Sequence, residues 1–163
     1  MTRNEAIISI KPTYAEAILN GTKTVELRRR IPATQIGTRL WIYATRPTAA
    51  VIGSATVAGI IRGIPDQIWK ETSSSAGISR EKFDAYFDGS DEAIGLILTN
   101  ITRSNPVNIS QLRLVRVGFH PPQVIARLSN IEAQHLNKLA RTINFPNYQP
   151  IEKSIYAPYV AAL

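Results

Sequence analysis

The hydrophobic pattern of the chain opens with a strand and a helix. Residues 6–11 form a short apolar run suited to a central strand. Pro12 fits the first turn of a helix, where its missing N–H costs nothing. Tyr14, Ala15, Ile18 and Leu19 follow at helical spacing, and Gly21 is placed to close the helix after Asn20. Val25 and Leu27 then alternate with Thr24, Glu26 and Arg28, so a second strand turns two apolar side chains one way and three polar ones the other. Lys23 stands in the turn before that alternation begins. Ile31-Pro32 ends this strand, and Gly37 marks the turn into a third strand over 39–45. There Leu40 and Ile42 alternate with Trp41 and Tyr43, which predicts cover on both faces. Arg46-Pro47 breaks it. Residues 50–61 are rich in β-branched side chains, with Gly53 and Gly59 at expected bends or bulges.

The pattern changes at Pro65. Ile64, Ile68 and Trp69 mark a short helix, Ser73 to Ser75 with Gly77 read as a flexible break, and Ser79 caps a second helix through Phe87. Phe83, Tyr86 and Phe87 share one face of it. This insertion, about 65–89, is expected to pack beside the sheet, with a mobile lid as the alternative. A strand over 93–102 follows, closed by Pro106, and Ser110 is the expected cap of a short helix through Leu114. A strand over 124–128 leads into Ser129-Asn-Ile-Glu132, a capping box. Its helix should run to about Ile143, with Ile131, Leu136, Leu139, Ala140 and Ile143 in one apolar stripe. The tail, with Pro146, Pro150 and Pro158, is expected to be irregular up to a final segment over 155–163. No repeat or linker interrupts the chain, so residues 1–163 read as one domain.

Charge narrows the functional classes. The net charge is +7, and arginine outnumbers lysine 13 to 6, which suits planar recognition of phosphates or base edges. The charge is uneven: residues 1–62 carry nine basic and three acidic side chains, whereas residues 66–92 carry three and seven. With no cysteine, disulfides and thiolate chemistry are excluded. No apolar run is long enough for a membrane span and no signal-peptide pattern precedes the first strand, so a cytoplasmic protein is expected. His120 and His135 stand apart from any carboxylate cluster and read as surface or structural residues, so no metal is expected. No phosphate-binding loop or dinucleotide fingerprint is present, and no cofactor is expected. Nothing in the pattern fixes an oligomeric state.

The segment Gly21-Thr-Lys-Thr-Val-Glu-Leu-Arg-Arg-Arg30 concentrates the candidate chemistry. Its pattern G-x-K-x-x-E-x-R, with Gly21, Lys23, Glu26 and Arg28, resembles the signature of ASCH domains, a branch of the PUA-like β-barrel superfamily. Ile8-Ser-Ile-Lys-Pro12 with Tyr14, Ile42-Tyr-Ala-Thr-Arg-Pro47 with Val51-Ile-Gly53, and Gly118-Phe-His-Pro-Pro-Gln123 resemble further segments of longer ASCH proteins, in the same order. The resemblance implies an α+β fold: a PUA-like mixed β-barrel of about six strands, with an acidic helical insertion and a C-terminal helix. It also implies a cleft on the barrel and RNA as partner. Some small bacterial members are amidohydrolases acting on 4-acetylcytidine, and nuclease activity is attributed to others. In those amidohydrolases the catalytic lysine corresponds to Lys23, but a threonine stands three residues after it, where this chain has Glu26.

Read on their own, the same residues allow two uses and one bland alternative. Lys and Arg can hold phosphates while Glu26 accepts a hydrogen bond from an exocyclic amine. Alternatively Lys23 and Glu26 can act as an acid/base pair in a partly closed cleft. The bland reading is a solvated edge strand kept polar against pairing. The leading expectation is a nucleic-acid-binding module, directed at RNA, that holds a base or nucleoside. Lys11, Thr24, Arg28, Arg30, Thr45, Arg46 and Gln123 are the candidate binding residues. A hydrolase acting on a modified nucleoside or RNA, with Lys23 and Glu26 catalytic, is second. A regulatory domain for a small metabolite is third.

Overall fold

The computed structural model describes residues 4–32 and 34–141. In chain order the elements are β1 (Glu5–Ile10), α1 (Pro12–Leu19), β2 (Val25–Arg28), β3 (Arg39–Ala44), β4 (Ala50–Gly63), α2 (Pro65–Thr72), α3 (Arg80–Phe87), β5 (Ala93–Asn108), α4 (Ile109–Val115), β6 (Ile125–Arg127) and α5 (Asn130–Arg141). Among the described residues the strands form one six-stranded sheet in the order β2-β5-β4-β3-β1-β6. Only β1 and β3 run parallel, and the other neighbours are antiparallel. The result is an α+β fold whose mixed sheet curls into a half-barrel, with β2 and β6 at its two edges.

Bending comes where the glycines predict it. The β4–β5 ladder shifts register between Val51 and Gly53, between Ser54 and Thr56, and between Val57 and Gly59. Extra residues in one strand kink and twist it, which lets a long hairpin wrap. Gly53 is required for a second reason. A Cβ there would lie 2.5 Å from Leu19 Cδ2 and 2.6 Å from the Thr102 carbonyl oxygen, so α1 packs directly on strand backbone.

Three apolar clusters divide the work. On β3, Leu40, Ile42 and Ala44 face the concave core with Ile8, Ile10, Ile18, Ile52, Ile94 and Leu96. Trp41 and Tyr43 face the opposite side, under α4 and α5, with Ile7, Val51, Leu112, Phe119 and Leu136. The predicted cover on both faces of β3 is thus observed. The third cluster joins Val25 and Leu27 of β2 to Ile68, Ala76, Phe83 and Phe87 of the insertion. Packing of α2 and α3 against the outer face of β2 therefore buries what would otherwise be an exposed apolar edge.

Several local expectations change. β2 ends at Arg28 and not at Ile31-Pro32. β5 passes through Pro106 to Asn108, because the pairing skips from Arg103 to Val107 there and a residue without an N–H breaks no ladder bond. Asn108, not Ser110, caps α4, with Gln111 completing a capping box. The box at Ser129 and Glu132 forms as expected, with bonds of 2.7 and 3.3 Å. Ile131 is 79% exposed, and the buried stripe of α5 is Ala133, Leu136 and Ala140. Ile143 and the expected tail segments lie outside the described residues.

Candidate functional site: a buried charge cluster at the half-barrel seam

β2 reaches the site because α1 ends where it does. Asn20 caps the helix, Gly21 takes φ +83°, and the Lys23 N–H donates to the Ala17 carbonyl, which turns the chain sharply into the strand. Val25 and Leu27 are drawn outward by the insertion, so Glu26 and Arg28 point inward. All four residues of β2 are buried. The solvated-edge reading of this strand is overturned.

Lys23, Glu26 and Arg28 come together with exposures of only 3, 7 and 9%. Lys23 Nζ lies 3.3 Å from Glu26 Oε2. Arg28 donates from Nε to Glu26 Oε1 at 3.1 Å, and its Nη2 stands at the same distance from that oxygen. Each carboxylate oxygen therefore faces one cation. The cations are further held by backbone: Lys23 Nζ donates to the Val25 carbonyl at 2.8 Å and to the Ala76 carbonyl at 2.6 Å. Arg28 Nη2 donates to the Ser9 carbonyl at 2.6 Å. Lys23 also sits 5.5 Å from the centre of the Tyr14 ring, close enough for a cation–π contact.

These bonds tie three parts of the fold to one carboxylate. The Arg28–Ser9 bond is the notable one, because β5, β4 and β3 separate β2 from β1 in the strand order, with no ladder between the two. A side chain closes the seam of the half-barrel where backbone pairing does not. The insertion enters from the other side. Ser75 accepts through its carbonyl from the N–H groups of Thr24 and Val25, at 2.9 and 3.1 Å. Gly77, at φ +60°, runs so close that a Cβ would lie 3.0 Å from Lys23 Cβ. The Ser-rich stretch, expected to be a flexible break, is thus a wall of the site.

The other candidates fall into three places. Lys11 is exposed at the start of α1, two residues beyond Ser9. Thr45 is half-buried, its N–H donating to the Ile10 carbonyl at 2.9 Å, and exposed Arg46 follows it. Because β1 and β3 are parallel, with Ile10 opposite Ala44, Lys11, Thr45 and Arg46 all emerge at one end of the sheet. Gln123 is exposed and lies two residues before β6, whose Ile125 pairs with Ile8, so it approaches the same end. Thr24 is half-buried beside Ser75. Arg30 is exposed past the end of β2 and borders a separate hollow.

Sequence reasoning missed three participants, Ser9, Ala76 and Tyr86. Ser9 and Ala76 act through backbone carbonyls, which carry no residue signature. The Ser9 hydroxyl is buried with no hydrogen-bond partner. On the face under α4 and α5, burial pushes the Tyr43 phenol up, against the opposing pull of the Arg46 charge. Tyr86 of α3 is pushed up too, chiefly by burial, with Arg28 and Arg29 opposing. Among the described residues no group of three or more His, Asp or Glu side chains converges in a way that could hold a metal ion. No helix among them is long and apolar enough to cross a membrane.

The geometry defines a half-barrel with a Lys–Glu–Arg cluster in its seam, and the comparisons place it. The ASCH domain model matches residues 8–103, and the chain belongs to the ASCH domain family. It is 39% identical over 141 residues to an ASCH domain-containing ribonuclease of Zymomonas mobilis, covering 86% of this chain and 95% of that protein. The crystal structure of ASCH from Zymomonas mobilis superimposes with a TM-score of 0.81 at 40% identity, over 83% of this chain and 94% of that one. Weaker similarity, 26% identity over 117 residues, joins it to a large ribosomal subunit protein uL22 of Ureaplasma parvum, of whose length it spans 37%.

Proposed function

We propose that this protein binds single-stranded RNA across the seam between β2 and the ends of β1 and β3. In this reading Lys11 and Arg46 hold phosphates at the rim, where exposed cations attract the backbone. Thr45 and Gln123 offer hydrogen bonds to a base or nucleoside entering at the same end, and Thr24 lines the wall. Lys23, Glu26 and Arg28 set the floor. The observation that carries the proposal is the seam itself. A buried carboxylate lies between two cations at a seam that one arginine side chain spans and no strand ladder closes, with exposed Lys11 and Arg46 at the same end of the sheet. Glu26 and the Ser9 carbonyl are acceptors suited to an exocyclic amine.

A second reading, hydrolysis of RNA in the same place, is favoured by the name of the Zymomonas relative. Action on a modified nucleoside such as 4-acetylcytidine has less support. Lys23 Nζ is already committed to two carbonyls and Glu26, and the amidohydrolase threonine is absent from position 26.

The test has two arms. Fluorescence anisotropy of a labelled RNA oligomer should show affinity falling steeply with salt, weakened by Lys11→Ala and by Arg46→Ala. Both positions are exposed, so folding is spared. Binding that ignores salt, or that neither variant weakens, would overturn the proposal. In the second arm the same RNA and 4-acetylcytidine are incubated with wild type and Lys23→Ala. Cleavage of the RNA by wild type alone establishes the hydrolytic reading, and its absence removes it.

A further inference from the structure

From the structure we infer that a second hollow, beyond the end of β2, is a subsite for one nucleotide unit of the RNA chain. The inference rests on the RNA-binding reading above and extends it to a place outside the charge cluster. The hollow encloses about 410 Å³, within the usual range for small-ligand sites. Its lining has two chemistries. Ile31, Pro32, Ile94 and Val124 supply an apolar surface, while Arg30 and Arg62 supply cations at the edge. A nucleotide presents the same two: a flat, weakly polar base and sugar, and an anionic phosphate.

Its position is set by the seam. Arg30 to Pro32 continue from β2, and Val124 precedes β6, so the hollow opens where the two free edges of the half-barrel approach each other. Val124 is also the next residue after Gln123, a candidate of the first site. RNA bound at the seam can thus continue into the hollow without crossing the body of the protein.

The arginines differ in how they are held. Arg29 is spent on structure: its Nε donates to the Tyr86 carbonyl at 2.7 Å and its Nη2 to the Asp88 carbonyl at 2.8 Å. Arg30 makes no hydrogen bond or ion pair with any described residue. Arg62 faces Glu92 at 3.4 Å, each side chain being 50% exposed. So long and wet a pair is weak and readily exchanged for a better anion. A phosphate with two or three free oxygens can take a planar guanidinium in two parallel bonds, a closer fit than the single contact Arg62 now has. Glu92 in turn acts as a screen that disfavours weakly bound anions.

The experiment is a salt titration of RNA binding. Anisotropy of a labelled single-stranded oligomer is measured over a range of salt with wild type, Arg30→Ala, Arg62→Ala, Glu92→Gln and Arg113→Ala. Arg113 is exposed on α4, on the other face, and controls for net charge. Each lost phosphate contact should reduce the log–log slope by about 0.7, so the two hollow variants should each flatten it by roughly that amount. Glu92→Gln should tighten binding, and Arg113→Ala should leave the slope unchanged. Slopes equal to wild type for both Arg30→Ala and Arg62→Ala, or a flattening matched by Arg113→Ala, would overturn the subsite. Wild type that binds no RNA would instead remove the functional reading itself, and the subsite with it.

Discussion

Replacing Glu26 by glutamine tests whether the charge cluster is as buried as its contacts imply. The substitution keeps size and shape but leaves Lys23 and Arg28, 3 and 9% exposed, without a counter-charge. Removing one partner of a buried pair costs about 3–5 kcal/mol, because the remaining charge is stranded. The structure argues for the low end. Lys23 retains two carbonyl acceptors, Arg28 retains the Ser9 carbonyl, and the glutamine oxygen can still accept from one of them. We expect a loss of about 3 kcal/mol, which for a chain of this length corresponds to a fall in Tm of roughly 6–12 °C. Urea unfolding followed by tryptophan fluorescence and circular dichroism measures it. Repeating it near ~1 M salt separates the causes, since the Debye length there is only about 3 Å and exposed pairs are screened while buried ones are not. A loss below about 1 kcal/mol, the value of an exposed pair, would refute the burial argument. So would a loss that disappears at high salt.

Three further outcomes follow from individual contacts. Gly77→Ala should cost more than Gly89→Ala in urea unfolding. Both have positive φ, worth roughly 1–2 kcal/mol against a Cβ, but only at Gly77 would that atom meet the Lys23 stem, whereas Gly89 faces open space. Equal costs would mean the loop yields freely. The Glu132 carboxyl is lowered to about 2, first by its bond to Arg116 and then by the bonds from Ser129. A depressed folded value stabilises above the ordinary value of 4.5 and is lost as pH falls from there toward about 2. At about 1.4 kcal/mol per unit the ceiling is ~3 kcal/mol, and partial exposure of Arg116 reduces it to roughly 2. The stability gap between wild type and Glu132→Gln should therefore close through that acid window, and a gap constant with pH would contradict the assignment. On α5, Leu136→Ala should cost about 2–5 kcal/mol and Ile131→Ala less than about 0.5, reversing the order that hydrophobicity alone suggests.

What could be read from the chain was local. Pro12 and Gly21 frame α1, and Ser129 with Glu132 starts α5, because capping joins residues a few positions apart. The Lys23–Glu26 contact was legible for the same reason. Arg28 reaching Ser9 was not, since it depends on how far the sheet curls, and curl accumulates over bulges whose sizes the glycines mark without measuring. Ile131 misled because its bulk outweighed the smaller Ala133 and Ala140, which sit on the true buried face. Pro106 misled because a proline ends most strands but passes unnoticed inside a bulge. The insertion packs beside the sheet as expected, but its serine stretch misled most. A run of three serines beside a glycine has the composition of a loose linker, yet its value lies in backbone carbonyls, which every residue has and no composition reveals.

The structure of β2 explains why site and insertion belong together. A strand of four residues, laddered only to β5, leaves one edge without partners and would be a weak place to bury charge. Here the missing ladder is replaced piece by piece. The Ser75 carbonyl receives the N–H groups of Thr24 and Val25, Arg28 spans to Ser9, and Lys23 fastens the Ala76 carbonyl from beneath. Side-chain and loop bonds fix the strand as a neighbouring strand would. The insertion thereby braces β2 around a buried carboxylate. Loosening the brace should therefore affect the site first: Gly77→Ala, which presses on Lys23, should weaken RNA binding more than Gly89→Ala does, even where both variants remain folded.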